Sequence, residues 1–153
     1  MPITIRPFTE KDFDELLDLA NAAVPFAPEE NAEWLAYRRA FDETRQIRRH
    51  FLAEDERGRA VGYSCLEQQG DDPTALRVFV VCSPHRLIRA LGTQLFEHLL
   101  GQAQTLQATI LWAREYQQDD AARTFFLQHG FVITHEFTLP GERPMIVYQR
   151  SLA

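Results

Sequence analysis

One short run in the middle of the chain constrains its fold more than any other feature. The stretch VFVVC, Val78 to Cys82, is apolar on both faces, which is typical of a strand in the centre of a sheet. Ser83-Pro84 ends this strand, and an amphipathic pattern from about Arg86 to Gln102 then predicts a helix. The residues on the buried side of that helix are Ile88, Leu91, Leu95 and Leu99. The chain therefore contains a strand, a loop and a helix in direct succession.

The segments on either side predict a mixed α/β (α+β) chain with the order β-α-α-β-β-β-α-β-α-β-β. The predicted strands are Ile3–Arg6, Arg48–Asp55, Ala60–Gln68, Leu76–Cys82, Ala108–Glu115, Phe131–Thr138 and Met145–Leu152. The other helices are predicted after Thr9, over residues 29–43 and over residues 119–129. Thr9 and Asp12 have the spacing of a capping box. No repeat or linker divides the sequence, which predicts one domain over residues 1–153.

Composition argues against several classes of protein. A hydrophobic fraction of 45% in 153 residues is enough for a buried core, and a net charge of −6 argues against a nucleic-acid partner. The apolar runs are too short to span a bilayer and no signal sequence is visible, so we expect a cytoplasmic protein without a membrane partner. Cys65 and Cys82 are expected to be reduced thiols, and no metal site is predicted.

A small positive group marks the start of the helix that follows Pro84. His85, Arg86 and Arg89 lie there, although the dipole of a helix disfavours cations at its N-terminus. This placement favours an anionic ligand, while a solvated helix start would also accommodate the same residues.

Three segments, in this order, resemble the GNAT superfamily of acyl-CoA-dependent N-acetyltransferases. IRPFTEKDFDELLDL, from Ile5, resembles the family's first strand and helix. SPHRLIRALGTQL, from Ser83, falls on its cofactor signature, a Pro followed by Arg/Gln-x-x-Gly-x-Gly/Ala. DDAARTFFLQHGF, from Asp119, falls on its Asn-x-x-Ala…Phe-Tyr-x-x-x-Gly-Phe segment. The resemblance covers nearly the whole chain and implies a mostly antiparallel central sheet, with acetyl-CoA or another acyl-CoA as cofactor.

The resemblance also implies where the cofactor and the acceptor bind. A pyrophosphate would accept from the free N–H groups at the helix start, and the pantetheine arm would lie where the fourth strand parts from the fifth. The residues placed at the cofactor in this way are Val80, Val81, Cys82, Leu87, Ile88, Arg89, Ala90, Leu91, Gly92, Thr93, Asp119 and Phe126. A small-molecule or peptide amine would enter between the first two helices and the last strand pair. Glu29, Glu30 and Glu33 there would attract a cationic amine, although a solvated helix start explains them equally well.

The sequence departs from the family pattern at positions that matter for activity. Leu87 stands where the family has Arg or Gln, and Ala90 stands at its first glycine, where a methyl group would crowd the pyrophosphate. Two explanations stay open: either Arg86 and Arg89 contact the phosphates instead, or the loop has lost cofactor binding. Phe126 replaces the tyrosine that often protonates the leaving thiolate, and phenylalanine has no proton to donate.

The catalytic groups are therefore an open question. Glu67 and Glu115 are candidate bases near the acceptor, although both are expected to face solvent, and Tyr116 and Tyr63 are alternative acids. We expect an N-acetyltransferase that works by direct attack of a primary amine in a ternary complex. The alternative is a catalytically impaired domain that serves as an acyl-CoA sensor, an interaction module or the inactive half of a tandem pair. The last two strands can pair across a homodimer, although no residue requires one.

Overall fold

The computed structural model describes residues 2–24, 31–32, 46–84 and 90–152. In these segments seven strands form one sheet, with helices on both of its faces. The strands are β1 (Thr4–Pro7), β2 (Arg48–Glu54), β3 (Ala60–Gln68), β4 (Ala75–Cys82), β5 (Ile110–Tyr116), β6 (Val132–Phe137) and β7 (Met145–Ser151). The helices are α1 (Phe13–Ala23), α2 (Leu91–Thr105) and α3 (Asp120–Gln128), and a 3-10 turn over Glu10–Asp12 precedes α1.

The strand order is β1-β2-β3-β4-β5-β7-β6. Of the pairs in the described segments, only β4 and β5 run parallel, which confirms the predicted mixed and mostly antiparallel sheet. The observed strands agree with the predicted ones to within two residues at each end. The helix predicted over residues 29–43 lies outside the described residues except at positions 31 and 32, which are helical. The start of the helix predicted from Arg86 also lies outside them.

Helix α2 packs against the sheet over Gly62 of β3. Leu91, Leu95 and Leu99 are buried, as the helical spacing predicts, whereas Ile88 lies outside the described residues. Gly62 in β3 permits this approach, because a Cβ atom there would lie 2.8 Å from Leu95 Cδ1 and 3.2 Å from the carbonyl oxygen of Val81. A larger residue at position 62 would displace the Leu95 side chain and crowd the carbonyl oxygen of Val81.

Aromatic rings fill the core between α3 and the sheet. Phe126 is 2% exposed, and its ring stacks on Tyr148 of β7 with 5.2 Å between the centroids. Phe131 packs edge-on against Phe126 at 5.0 Å. Burying one aromatic side chain contributes about 1.5–3 kcal/mol, so these contacts fix α3 over β5 and β7.

Helix α1 covers the opposite face and is tied to the sheet by charge as well as by packing. The backbone N–H of Thr9 donates to the carboxylate of Asp12 at 2.8 Å, as the capping-box spacing predicts. Arg6 of β1 donates to both oxygens of Asp12, at 2.9 and 2.8 Å, and also to Glu54. These hydrogen bonds lower the pKa of Asp12 to about 2. Phe13, at the start of α1, packs below them in the apolar core.

Three other expectations can be compared with the described residues. Cys65 and Cys82 are free thiols in apolar clusters on different sides of the sheet. No group of three or more metal-binding side chains occurs in this part of the chain. Within the same segments, every helix is too short or too polar to cross a membrane.

Candidate active site

A cleft opens in the middle of the sheet because β4 and β5 pair only at their beginnings. The two strands run parallel there and pair Ala75 with Ile110, Leu76 with Leu111 and Arg77 with Trp112. Beyond that point β4 stays paired with β3 as far as Cys82, and β5 stays paired with β7 as far as Tyr116. We call the space between residues 78–82 and 113–116 the cleft. Across this space the described strands form no ladder, so main-chain N–H and C=O groups of β4 and β5 border it.

The N-terminus of α2 lies at the end of β4, beside this cleft. Ala90 precedes the helix with φ 56° and ψ 27°, in the left-handed region that favours glycine, and it provides no side-chain cap. The first-turn N–H groups, from Leu91 to Thr93, therefore have no acceptor within the helix. This arrangement presents three donors and the positive end of a helix dipole to an anion. Leu87, Ile88 and Arg89, which were predicted to join them, lie outside the described residues.

Gly92 and Thr93 join the start of α2 to α3. A Cβ atom at position 92 would lie 3.0 Å from Cε2 of Phe125, so the glycine allows the two helices to touch. The Nδ1 of His129 lies 2.8 Å from the carbonyl oxygen of Phe125, which can only accept, so Nδ1 carries the hydrogen. Its Nε2 lies 3.1 Å from the Thr93 hydroxyl oxygen, within hydrogen-bond distance. Thr93, a predicted cofactor residue, thus already bonds within the protein.

The side chains of β5 divide the cleft into two sides. Leu111 and Ala113 belong to the core beneath α2 and α3, and alternation places Glu115 on that side. Trp112, Arg114 and Tyr116 point to the side covered by α1. We call the face beneath α2 and α3, which carries the N-terminus of α2, the donor side. We call the opposite face the α1 side. In β4, Val80 and Cys82 pack on the donor side, whereas Phe79 and Val81 pack with α1.

Glu115 is half-buried on the donor side, so the expectation that it faces solvent is wrong. Burial raises the pKa of Glu115 to about 8. Arg77 and Arg114 oppose this effect, and Asp119 adds to it. Asp119 begins α3, where its side chain accepts from the N–H of Ala122 at 3.0 Å. A carboxyl with this pKa carries its proton at neutral pH and can act as an acid.

Phe126 does not supply a polar group to the cleft. Its ring lies in the core against Tyr148, which is fully buried on β7 opposite Ala113. Burial raises the pKa of Tyr148, and Arg123 opposes the shift. Sequence reasoning missed Tyr148, because its position near α3 depends on the β5–β7 register rather than on any local pattern.

Glu67 belongs to a row of charged residues on the α1 side. It lies opposite Arg48 of β2 and Arg77 of β4, and these three residues are 1%, 4% and 7% exposed respectively. The guanidinium of Arg77 lies over the Trp112 ring, 5.6 Å from its centroid, and donates to the carbonyl of Arg114 at 3.4 Å. The prediction that Glu67 faces solvent is therefore wrong: the sheet register places it between two cations, at the joined end of β4 and β5 and away from the cleft.

The two tyrosines considered as acids differ in position. Tyr63 is fully buried in the core below α1, with its ring 5.5 Å from that of Phe8. Tyr116 is half-buried at the end of β5, on the α1 side of the cleft. Geometry thus places Tyr116 at the border of the cleft and Tyr63 within the packed core.

The sequence profile of the acetyltransferase (GNAT) family matches residues 13–131, which include α1, the cleft and α3. The chain belongs to the GNAT family. Several solved GNAT structures share its fold. A candidate phosphinothricin N-acetyltransferase is 19% identical, with a TM-score of 0.81 and 99% of each chain covered. The phosphinothricin acetyltransferase of Sinorhizobium meliloti, solved in complex with AcCoA, is 17% identical, with a TM-score of 0.76, 100% of this chain covered and 90% of its own.

A third GNAT structure carries a different substrate name. The ribosomal-protein-S18-alanine N-acetyltransferase of Escherichia coli is 18% identical, with a TM-score of 0.76, 99% of this chain covered and 95% of its own. Among curated proteins, none matches this sequence. These similarities establish the GNAT fold of the chain.

Proposed function

We propose that residues 1–153 form one acetyltransferase domain that transfers an acetyl group from acetyl-CoA to a primary amine, by direct attack in a ternary complex. The observation that carries this proposal is the cleft between β4 and β5, with the uncapped N-terminus of α2 beside it. Holding the amine and the thioester together lowers the entropic part of the barrier, which requires no covalent enzyme intermediate.

The donor side fits an acyl-CoA. The N–H groups of Leu91, Gly92 and Thr93 would donate to the pyrophosphate, and the main chain of Val80 to Cys82 would hydrogen-bond the pantetheine arm. The left-handed conformation of Ala90 supports this assignment, because it favours glycine, the residue that the family signature has at this position. The methyl group of Ala90 is exposed rather than packed beneath the helix.

The acceptor would approach from the α1 side, where Arg114 and Tyr116 border the cleft. The similar structures are named for phosphinothricin and for a ribosomal-protein alanine, so both a small-molecule amine and a peptide amine fit the proposal. Glu29, Glu30 and Glu33, expected to attract a cationic amine, lie outside the described residues.

Calorimetry with acetyl-CoA and with desulfo-CoA tests donor binding. We expect micromolar dissociation constants for both ligands, with weaker binding in Arg89→Ala. Arg57→Ala, in the exposed β2–β3 turn, is the matched control. Release of CoA thiol with a panel of primary amines then tests transfer. The proposal fails if millimolar acetyl-CoA does not bind, or if it binds and no amine is acetylated.

A non-catalytic acyl-CoA-binding domain is the second candidate function, and the burial of Phe126 favours it. In that case acetyl-CoA would bind without turnover, and Ala90→Gly combined with Phe126→Tyr would still transfer nothing. Appearance of activity in that double variant would exclude this second function.

The β6 edge supports self-association. Val132 and Ile133 are 61% and 41% exposed on an edge strand, which offers both apolar surface and unpaired main-chain groups. We propose a homodimer through this edge, and light scattering of wild type and Ile133→Lys tests it. A monomeric wild-type protein would overturn it.

A further inference from the structure

The reaction needs a proton for the sulfur that leaves. When an amine attacks the acetyl carbonyl, the C–S bond breaks and its electron pair passes to sulfur. A nearby acid that protonates this sulfur typically accelerates such a step by about 10²–10⁴-fold. Phe126 has no proton to give, and its ring is enclosed in the core against Tyr148. The donor must therefore come from another element.

Glu115 has the position that this role requires. It lies in the part of β5 that no longer pairs with β4, so its main chain borders the cleft directly. Its side chain points to the donor side, the face that also carries the N-terminus of α2. A thioester whose pyrophosphate is held at that N-terminus enters the cleft from the same face. The sulfur and the Glu115 carboxyl would then meet on one side of the sheet, with the amine on the other.

We propose that Glu115 protonates the leaving thiolate, and so replaces the phenol that position 126 lacks. This proposal rests on the acetyltransferase function proposed above. The amine nitrogen forms a bond to the acetyl carbon, the carbon–sulfur bond breaks, and the carboxyl proton of Glu115 passes to sulfur to give the CoA thiol. The nitrogen loses its extra proton to water, and water returns a proton to the Glu115 carboxylate. Charge and protons balance over one turnover.

The protonation state of Glu115 agrees with this role. Burial raises its pKa to about 8, so the acid form predominates at neutral pH. The ionisable groups that act on it are Arg77 of β4, Arg114 of its own strand and Asp119 at the start of α3. The two arginines favour the carboxylate and Asp119 favours the neutral acid, so the net shift follows from burial. The Glu115 carboxylate in turn raises the pKa of Tyr148 on β7.

Among the described residues, the other proton donors near the cleft are less well placed. Tyr148 is fully buried and lies on β7, beyond β5 from the cleft. Burial raises the pKa of the Cys82 thiol to about 11, which makes it a poor donor near neutral pH. Tyr116 points to the α1 side, where the amine enters.

The pH dependence of kcat in Glu115→Gln tests the proposal. Wild type should lose activity above pH 8, as Glu115 ionises. In Glu115→Gln, kcat at pH 7 should fall about 100-fold, the alkaline decline should disappear, and the dissociation constant for acetyl-CoA should stay within twofold. Glu115→Asp should recover part of the rate. Glu56→Gln, in the exposed β2–β3 turn, is the matched control and should behave as wild type.

Glu115→Gln should fold at least as well as wild type at pH 8, because it removes an acid that is costly to ionise when buried. Equal kcat and an unchanged pH profile in Glu115→Gln, with an active wild type, would overturn this proposal and leave the acetyltransferase function standing. If the decline of kcat above pH 8 disappears in Tyr148→Phe and persists in Glu115→Gln, Tyr148 is the proton donor. That result would also overturn the proposal for Glu115. A wild-type protein that binds acetyl-CoA but acetylates no amine would overturn both proposals.

Discussion

The two faces of the sheet are stabilised in different ways. On the α2 and α3 face, side chains from both helices and four strands form an apolar core in which a glycine sets the distance between helix and strand. On the α1 face, buried charges lie among the apolar residues: Glu67 between two arginines, and Asp12 bonded to Arg6. Added side-chain volume should therefore destabilise the α2 and α3 face, and a change of charge should destabilise the α1 face.

This difference also concerns the site, because the cleft joins the two faces. Burial on the apolar donor side raises the pKa of the Glu115 carboxyl. The arginines Arg77 and Arg114 on the opposite side oppose that shift, so the acidity of the cleft depends on both faces. Substitutions on each face separate the contributions of the two faces to the stability of the protein.

Glu67→Gln should have the largest effect on stability. It removes the negative charge of a buried carboxylate whose register partners are Arg48 and Arg77 and which accepts from the side-chain amide of Gln69 at 2.7 Å. Removing one charge from such a group of buried charges costs about 3 kcal/mol. Urea unfolding at pH 7 measures the loss, with Glu97→Gln on the exposed face of α2 as the control. Equal stability of the two variants would show that the charged row contributes nothing.

Asp12→Asn should cost about 2 kcal/mol at pH 7 and change the acid stability of the protein. The pKa of Asp12 falls from 3.8 to about 2 on folding, so its contribution is complete above pH 4 and is lost as the pH falls through 2. Wild type should therefore lose stability between pH 4 and 2, and the variant should lose less there. Exposed Asp18→Asn serves as the control. Parallel curves for wild type and Asp12→Asn would contradict the assignment.

Gly62→Ala should destabilise the other face by about 1.5 kcal/mol, because the added methyl group meets Leu95 at 2.8 Å. Gly101 lies in α2, where a Cβ atom would meet nothing within 4 Å, so Gly101→Ala should stabilise this helix. Thermal unfolding measures the expected loss of stability in Gly62→Ala and the expected gain in Gly101→Ala. A neutral Gly62→Ala would mean that α2 can move from the sheet without cost.

Ala90→Gly should have the smallest effect, a gain of about 1 kcal/mol, because Ala90 adopts a left-handed conformation that glycine adopts without strain. Ala121→Gly, on the exposed side of α3, should lose up to about 1 kcal/mol. Urea unfolding measures the free energy of unfolding of both variants and so distinguishes the expected gain from the expected loss. A loss of stability in Ala90→Gly would indicate that chain entropy outweighs the relief of strain.

The sequence predicted the elements well because they depend on local patterns. The apolar run that ends at Cys82 and the leucines of α2 identify a strand and a helix from a few residues each. The cleft was expected only through the resemblance to GNAT proteins. No periodicity in β4 or β5 shows that the strands part after Arg77 and Trp112.

Burial of the charged residues could not be predicted in the same way. Glu67 and Glu115 were both expected in solvent, because an acidic residue at the end of a strand usually faces water. Their burial depends on which residues of distant strands lie beside them, such as Arg48 for Glu67 and Ile146 for Glu115. Register between strands is a long-range property, and a single sequence does not encode it in any short segment.

The early parting of β4 and β5 has a consequence for how the molecule is assembled. The strands before the cleft and those after it each form their own antiparallel hydrogen-bonded ladder, joined by one short parallel pair and by bonds to Thr74. The turn at Gln107 is exposed and falls between these ladders. A gene divided there would encode two fragments, each with its own ladder and one wall of the cleft. In such a split protein, the cleft would exist only when the two fragments reassociate.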